Sequence, residues 1–154
     1  MTIEDDIAFL ERVPILRRLG AGGLRSVAIG AESYSVLSGQ VLFTAGEAAD
    51  GAYIIQQGSF SLKSTVPNEP EIIAGPGTLL GESALLAETR RPATATARES
   101  STVLRVPRAM FLKMLESYPD AARRLREMMT ARADQWSREI DNIRSALTRD
   151  PPAQ

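Results

Sequence analysis

The sequence predicts an α+β protein: an antiparallel β-roll, jelly-roll-like and of about eight strands, with N-terminal helices before it and two C-terminal helices after it, the last one long. Three observations predict this. Between residues 32 and 106 apolar and polar residues alternate with period two, as in half-buried strands. The same stretch is densely punctuated by turn residues, among them Ser38-Gly39, Asp50-Gly51, Gln57-Gly58, Pro67-Asn68 and Gly75-Pro76-Gly77. On either side of it the apolar spacing becomes helical.

The chain has 154 residues, enough for one domain with a substantial core. We expect a single domain over 1–149 with a lead-in at 1–31, a roll at 32–106, C-terminal helices at 107–149 and a disordered tail at 150–154. A net charge of −1 gives no electrostatic case for nucleic acid or an acidic membrane surface. With neither cysteine nor histidine, the chain has no disulfide, no thiol nucleophile, no imidazole acid–base chemistry and almost no route to a transition-metal site. A metal-holding β-roll enzyme is excluded on the same ground. No stretch is long and apolar enough to span a bilayer, and the acidic start, Met1-Thr2-Ile3-Glu4-Asp5-Asp6, is unlike a secretory signal. The expected setting is cytoplasmic and the expected role is not enzymatic.

Taken in order, residues 4–12 read as a helix capped by Thr2, with Asp5 at the capping-box position and Ile7, Phe9 and Leu10 on its apolar side. Pro14 interrupts it. Val13 to Leu16 and Leu19 read as an apolar linker to a second helix over about 22–29, in which Leu24, Val27 and Ala28 face inward. Strand rhythm then starts at Glu32, with Tyr34, Val36, Val41 and Phe43 on one side. Tyr53-Ile54-Ile55 and Phe60-Ser61-Leu62 flank a turn at Gln56–Ser59 and read as a hairpin. Residues 66–72 form a proline-rich polar tip, after which Ile72, Ile73, Leu79 and Leu80 are expected to return to the core. Ala93–Ala97 and Thr102–Val106 read as the closing hairpin.

From Pro107 the pattern is helical. Met110, Phe111, Met114 and Leu115 mark a helix over 108–117, which Tyr118-Pro119 ends. Asp120 is the expected N-cap of a last helix running to about Leu147. Its apolar residues Met129, Ala133, Trp136, Ile140, Ile143 and Leu147 step by 4, 3, 4, 3 and 4. This is a seam of under three heptads, suited either to a homodimer or to folding back on the roll.

The chemistry concentrates at Gly81-Glu82-Ser83-Ala84-Leu85-Leu86 and, a few residues on, Arg91-Pro92-Ala93-Thr94-Ala95. Gly81 allows close approach of a ligand to the backbone, and the short helical run after it offers N–H groups to an anion. Arg91, nine positions after Glu82, brings a guanidinium shaped for bidentate phosphate contact. Glu82 would repel a phosphate but can accept from a hydroxyl, as on a ribose. Together these groups suggest a nucleotide whose one phosphate lies close to its sugar. The plainer alternative is a β-turn with a surface ion pair from Glu82 to Arg90 or Arg91.

These residues resemble the phosphate-binding cassette of cyclic-nucleotide-binding domains, G-E-x-A-L followed by R-x-A-T at the same spacing. Gly46, Ala49, Asp50, Tyr53, Ile55 and Gly58 resemble a second stretch of that family, and the lead-in helices resemble its N-terminal bundle. The resemblance implies a cyclic mononucleotide as ligand, with Gly81, Glu82, Ser83, Ala84, Leu85, Arg91, Pro92 and Ala93 around it. Arg91 would take the cyclic phosphate with help from N–H groups at Ala84 and Leu85, and Glu82 would take the 2′-hydroxyl. By position, Arg132 would cover the base from the last helix, with Met128 and Met129 as alternatives.

Pro92 departs from the family, which has Ala, Ser or Thr there. It removes a phosphate-facing N–H and the hydroxyl that relatives preferring cGMP use. The implied ligand is therefore cAMP rather than cGMP. Ligand capture would bias the last helix toward a closed position and so signal to an unknown protein effector in trans, because no output domain follows in the sequence. A roll that lost its ligand and serves dimerisation or partner contact is the other function the residues allow.

Overall fold

The computed structural model describes residues 2–131. Helix α1 (Ile3–Leu10) has the expected Thr2 cap but starts one residue before, and ends two residues short of, the expected 4–12. Thr2 and Asp5 form a reciprocal capping box, with Leu10 buried at the far end. The expected linker is instead a four-residue helix, α2 (Pro14–Arg17), with proline in its first turn, where the missing N–H costs nothing. Helix α3 (Gly20–Gly30) buries Leu24 and Val27, while Ala28 is only half-buried.

Ten strands follow among the described residues: β1 (Glu32–Val36), β2 (Val41–Phe43), β3 (Ala48–Ala49), β4 (Gly51–Gln57), β5 (Phe60–Ser64), β6 (Ile72–Ala74), β7 (Leu79–Leu80), β8 (Thr89–Arg90), β9 (Ala93–Ala97) and β10 (Ser101–Pro107). They form two four-stranded antiparallel sheets, ordered β1-β10-β4-β7 and β2-β9-β5-β6, and a small β3-β8 ribbon.

This order corrects two expectations. β4 and β5 do not pair with each other, nor do β9 and β10; each couple is divided between the two sheets. The turns between them are corners of the roll. Gly58 holds a φ of +89° at the first corner, and a Cβ there would collide with Ser101 at the second, so the two corners nest. The tip over 66–72 does join a paired couple, β5 and β6. Ile72 and Ile73 remain 58% and 49% exposed rather than returning to the core, because β6 is an outer strand; Leu80 is buried.

β4 and β10 are buried on both faces. Ile55 and Val103 point into the roll beside Phe43 and Phe60, whereas Ile54 and Leu104 join a second core with the helices. Helix α4 (Arg108–Ser117) has the bounds the sequence predicts and supplies Phe111 and Met114 to that second core.

A last helix follows over 119–131. It begins at Pro119, not after Asp120, and the Ala122 N–H donates to the Tyr118 carbonyl (3.1 Å). Proline's fixed φ suits the first helical position, which leaves Asp120 in the first turn beside Arg123 (3.4 Å). Arg124 reaches back to the carbonyls of Arg18 and Leu19 (2.8 and 3.3 Å), tying this helix to the lead-in. Arg132, Trp136, most of the heptad seam and the tail at 150–154 lie outside the described residues. No helix among the described residues is long and apolar enough to cross a membrane.

Candidate functional site

The cassette is built on a left-handed glycine. Gly81 has φ +84° and ψ +40°, a conformation costly for any residue with a Cβ. A single 3-10 turn, Glu82–Leu85, follows, and the Ala84 N–H donates to the Gly81 carbonyl (3.0 Å). The Ala84 N–H, expected to face a phosphate, is thereby engaged within the turn. Ala84 and Leu85 are fully buried and anchor the turn to the core, while Glu82 and Ser83 stay toward the surface.

Arg108, the first residue of α4, ties this turn to its surroundings. Its Nη1 donates to the carbonyls of Ala49 (2.9 Å), Ala87 (3.1 Å) and Ala84 (3.2 Å). Sequence reasoning missed it. The available signal was a cation at a helix N-terminus, where the macrodipole disfavours it unless something else holds it.

The arginine half of the site is fixed through its backbone. Arg91 N–H donates to Glu47 O and Gly46 N–H donates to Arg91 O, both at 2.8 Å. Arg90, on β8, pairs with Ala48 on β3 and also reaches Gly46 O from its side chain (2.8 Å). The Thr94 hydroxyl accepts from the Ala45 N–H (2.9 Å), so in this arrangement it is a structural group.

Arg91 is only 5% exposed. Its Nη1 is buried and has no hydrogen-bond partner among the described residues. Its Cζ lies 4.5 Å from the centre of the Phe43 ring and 5.4 Å from that of Tyr53. Burial pushes the guanidinium below its ordinary pKa, while Tyr53, Asp50 and Glu47 act the other way. A Cβ built on Gly81 would strike Nη1, so the bare glycine and the buried cation need each other.

The two halves meet in a cleft of about 380 Å³ lined by Gly81, Glu82, Ser83, Thr89, Arg90, Arg91, Pro92 and Met129. Of the expected ligand-binding residues, Gly81, Glu82, Ser83, Arg91 and Pro92 line it. Ala84 and Leu85 lie beneath it, and Ala93 begins β9 opposite Ser64 without lining it. Met129, one of the two alternative covers, is the residue that the last helix brings to the cleft among those described. A concave site with a buried cation, a hydroxyl, a carboxylate and a glycine that leaves room for close approach suits a small anionic ligand bearing hydroxyls.

A family model described as "Cyclic nucleotide-binding domain" matches residues 34–118, more than half of the chain. Among characterised sequences, the chain is 33% identical over 109 residues to the cAMP-dependent protein kinase regulatory subunit of Yarrowia lipolytica, covering 70% of this chain and 28% of that one. It therefore spans less than a third of that relative's length. Among solved structures it is similar to a cyclic nucleotide-binding-like protein from Brucella abortus, with 37% identity, a TM-score of 0.64 and coverage of 73% of this chain and 98% of that one. It is also similar to the regulatory domain of Toxoplasma gondii PKA crystallised with cAMP, with 26% identity, a TM-score of 0.67 and coverage of 86% and 50%.

Proposed function

The chain belongs to the cyclic nucleotide-binding domain family, and from that membership we propose that it is a regulatory sensor that binds cAMP in preference to cGMP and signals to a protein effector. The observation that carries this reading is Arg91: a buried arginine whose Nη1 has no hydrogen-bond partner among the described residues, set against the turn at Gly81. An unmatched buried donor on a charged group is expensive, and a phosphate oxygen would satisfy it. In this reading Arg91 takes the cyclic phosphate and Glu82 the ribose hydroxyl, while Met129 borders the base. Pro92 supplies no hydroxyl to a guanine, which supports cAMP over cGMP.

Met129 on the last helix and Arg108 on α4 both adjoin the cassette, so a ligand there would bias the packing of both helices. Any effect on a partner would draw on that bias. The second reading, a roll that no longer takes nucleotide and serves dimerisation or protein contact, is favoured by Pro92 and by the Ala84 N–H being engaged within the turn. Calorimetry with cAMP and cGMP on the native chain and on Arg91→Ala decides between them. We expect binding of cAMP that Arg91→Ala abolishes; an unchanged affinity in that variant, or no heat with either nucleotide, overturns the sensor reading.

A further inference from the structure

Arg91 as the phosphate ligand raises the question of what holds a buried guanidinium in place, and the inference here rests on that assignment. Cations this far from water are ordinarily paired with a carboxylate. Asp50 and Glu47 act on the charge through space without bonding it: Asp50 bonds Arg105 at 2.6 Å, and the Glu47 carboxylate accepts from the Thr44 N–H at 2.9 Å. What lies against the Arg91 charge is a pair of rings. Phe43 comes from β2 in one sheet and Tyr53 from β4 in the other, stacked with centres 5.9 Å apart and planes 25° from parallel, and the guanidinium carbon sits over both at 4.5 and 5.4 Å.

We propose that Phe43 and Tyr53 are positioning residues, an aromatic shelf that holds the Arg91 guanidinium at the base of the cleft without neutralising it. The choice of rings over a carboxylate has a chemical consequence. A carboxylate at this place would occupy the N–H donors and cancel the charge, so an incoming phosphate would have to displace it. The negative faces of two rings attract the cation while leaving its N–H groups unspent. The guanidinium is then already in place, so less ordering remains to be done on binding. The shelf also spans the two sheets, which makes the position of the charge depend on the roll being closed.

The test uses the full chain with Phe43→Leu and Tyr53→Leu, which keep apolar bulk but remove the ring, and Phe43→Tyr, which keeps it. Two signals are read: cAMP affinity by calorimetry, and the Arg91 side-chain Nε–Hε resonance in nucleotide-free protein, assigned with Arg91→Ala. The shelf predicts a resonance moved upfield by the rings in the native chain, with part of that displacement lost in Phe43→Leu and part in Tyr53→Leu. It also predicts about a 3- to 30-fold loss of cAMP affinity in either leucine variant, with Phe43→Tyr recovering most of it. A native Arg91 resonance at the exposed-arginine position overturns the shelf, as does a leucine variant that binds cAMP as the native chain does. If the native chain binds no nucleotide, the sensor reading fails; the resonance still decides the shelf.

Discussion

Replacing Arg108 with methionine keeps the aliphatic stem and removes the fork that holds the cassette. The Nη1 group has two N–H bonds for three carbonyls, those of Ala49, Ala84 and Ala87 at 2.9, 3.2 and 3.1 Å, so about two full hydrogen bonds are at stake. Hydrogen bonds from a charged donor contribute about 1.5–3 kcal/mol each. Half-burial of Arg108 and exposure of Ala87 favour the low end, about 3 kcal/mol together. Against this, removing a cation from a helix N-terminus returns about 0.3–1 kcal/mol. The net loss is roughly 2–3 kcal/mol, which in a domain of this size lowers the midpoint of thermal unfolding by about 4–12 °C. Scanning calorimetry with a parallel urea titration measures it, and an unchanged urea slope would show that the folded state is otherwise intact. Arg108→Lys should fall between, since an ammonium cannot fork across the same carbonyls. A midpoint shift of under about 2 °C in Arg108→Met would refute the reasoning, because water would then be serving the three carbonyls equally well.

Gly81→Ala forces a Cβ into a left-handed backbone and against Arg91 Nη1, so it should cost about 1–2 kcal/mol of stability. Its larger effect should be on cAMP, with affinity down by more than about tenfold because the guanidinium must move, a loss above the stability cost alone; equal binding would separate Gly81 from the site. Thr2→Ala removes the hydroxyl half of an exposed capping box, the 3.2 Å bond from the Asp5 N–H, and keeps the backbone bond to Asp5, so about 0.5–1 kcal/mol is expected. Hydrogen exchange should quicken in the first turn of α1 and stay unchanged in β4; faster exchange in both would mean that the cap supports the whole core.

Local signals were legible in the sequence because their physics is local. The Thr2–Asp5 box, the bounds of α4 and the cassette's glycine-then-turn geometry each depend on residues within a few positions of one another. Strand partners were not legible. Alternation in Tyr53–Ile55 and Phe60–Leu62 says which side chains face inward, but not which strand lies alongside, and the Gly58 turn serves a corner as well as a hairpin. The same gap hid half of the site. Arg91 and Gly81 could be read from their spacing, whereas Phe43 and Tyr53 meet Arg91 only once two sheets face each other. Arg108 gathers carbonyls from segments 59, 24 and 21 residues away, a distribution no window of sequence contains.

The sheet order also fixes when the protein can fold. Among the described residues β1 has a single ladder neighbour, β10, and its Glu32 lies opposite an arginine 73 residues later in the chain. During synthesis the first strand leaves the ribosome with no partner and waits until the last strand has followed it out. β4, the central strand flanked by β10 and β7, waits on the same segment. Closing such long loops is entropically costly and slow, so early strands with exposed edges are open to pairing with other chains in the meantime. A nascent chain halted before residue 101 would lack the strand that joins both, and should therefore be the species most in need of a chaperone.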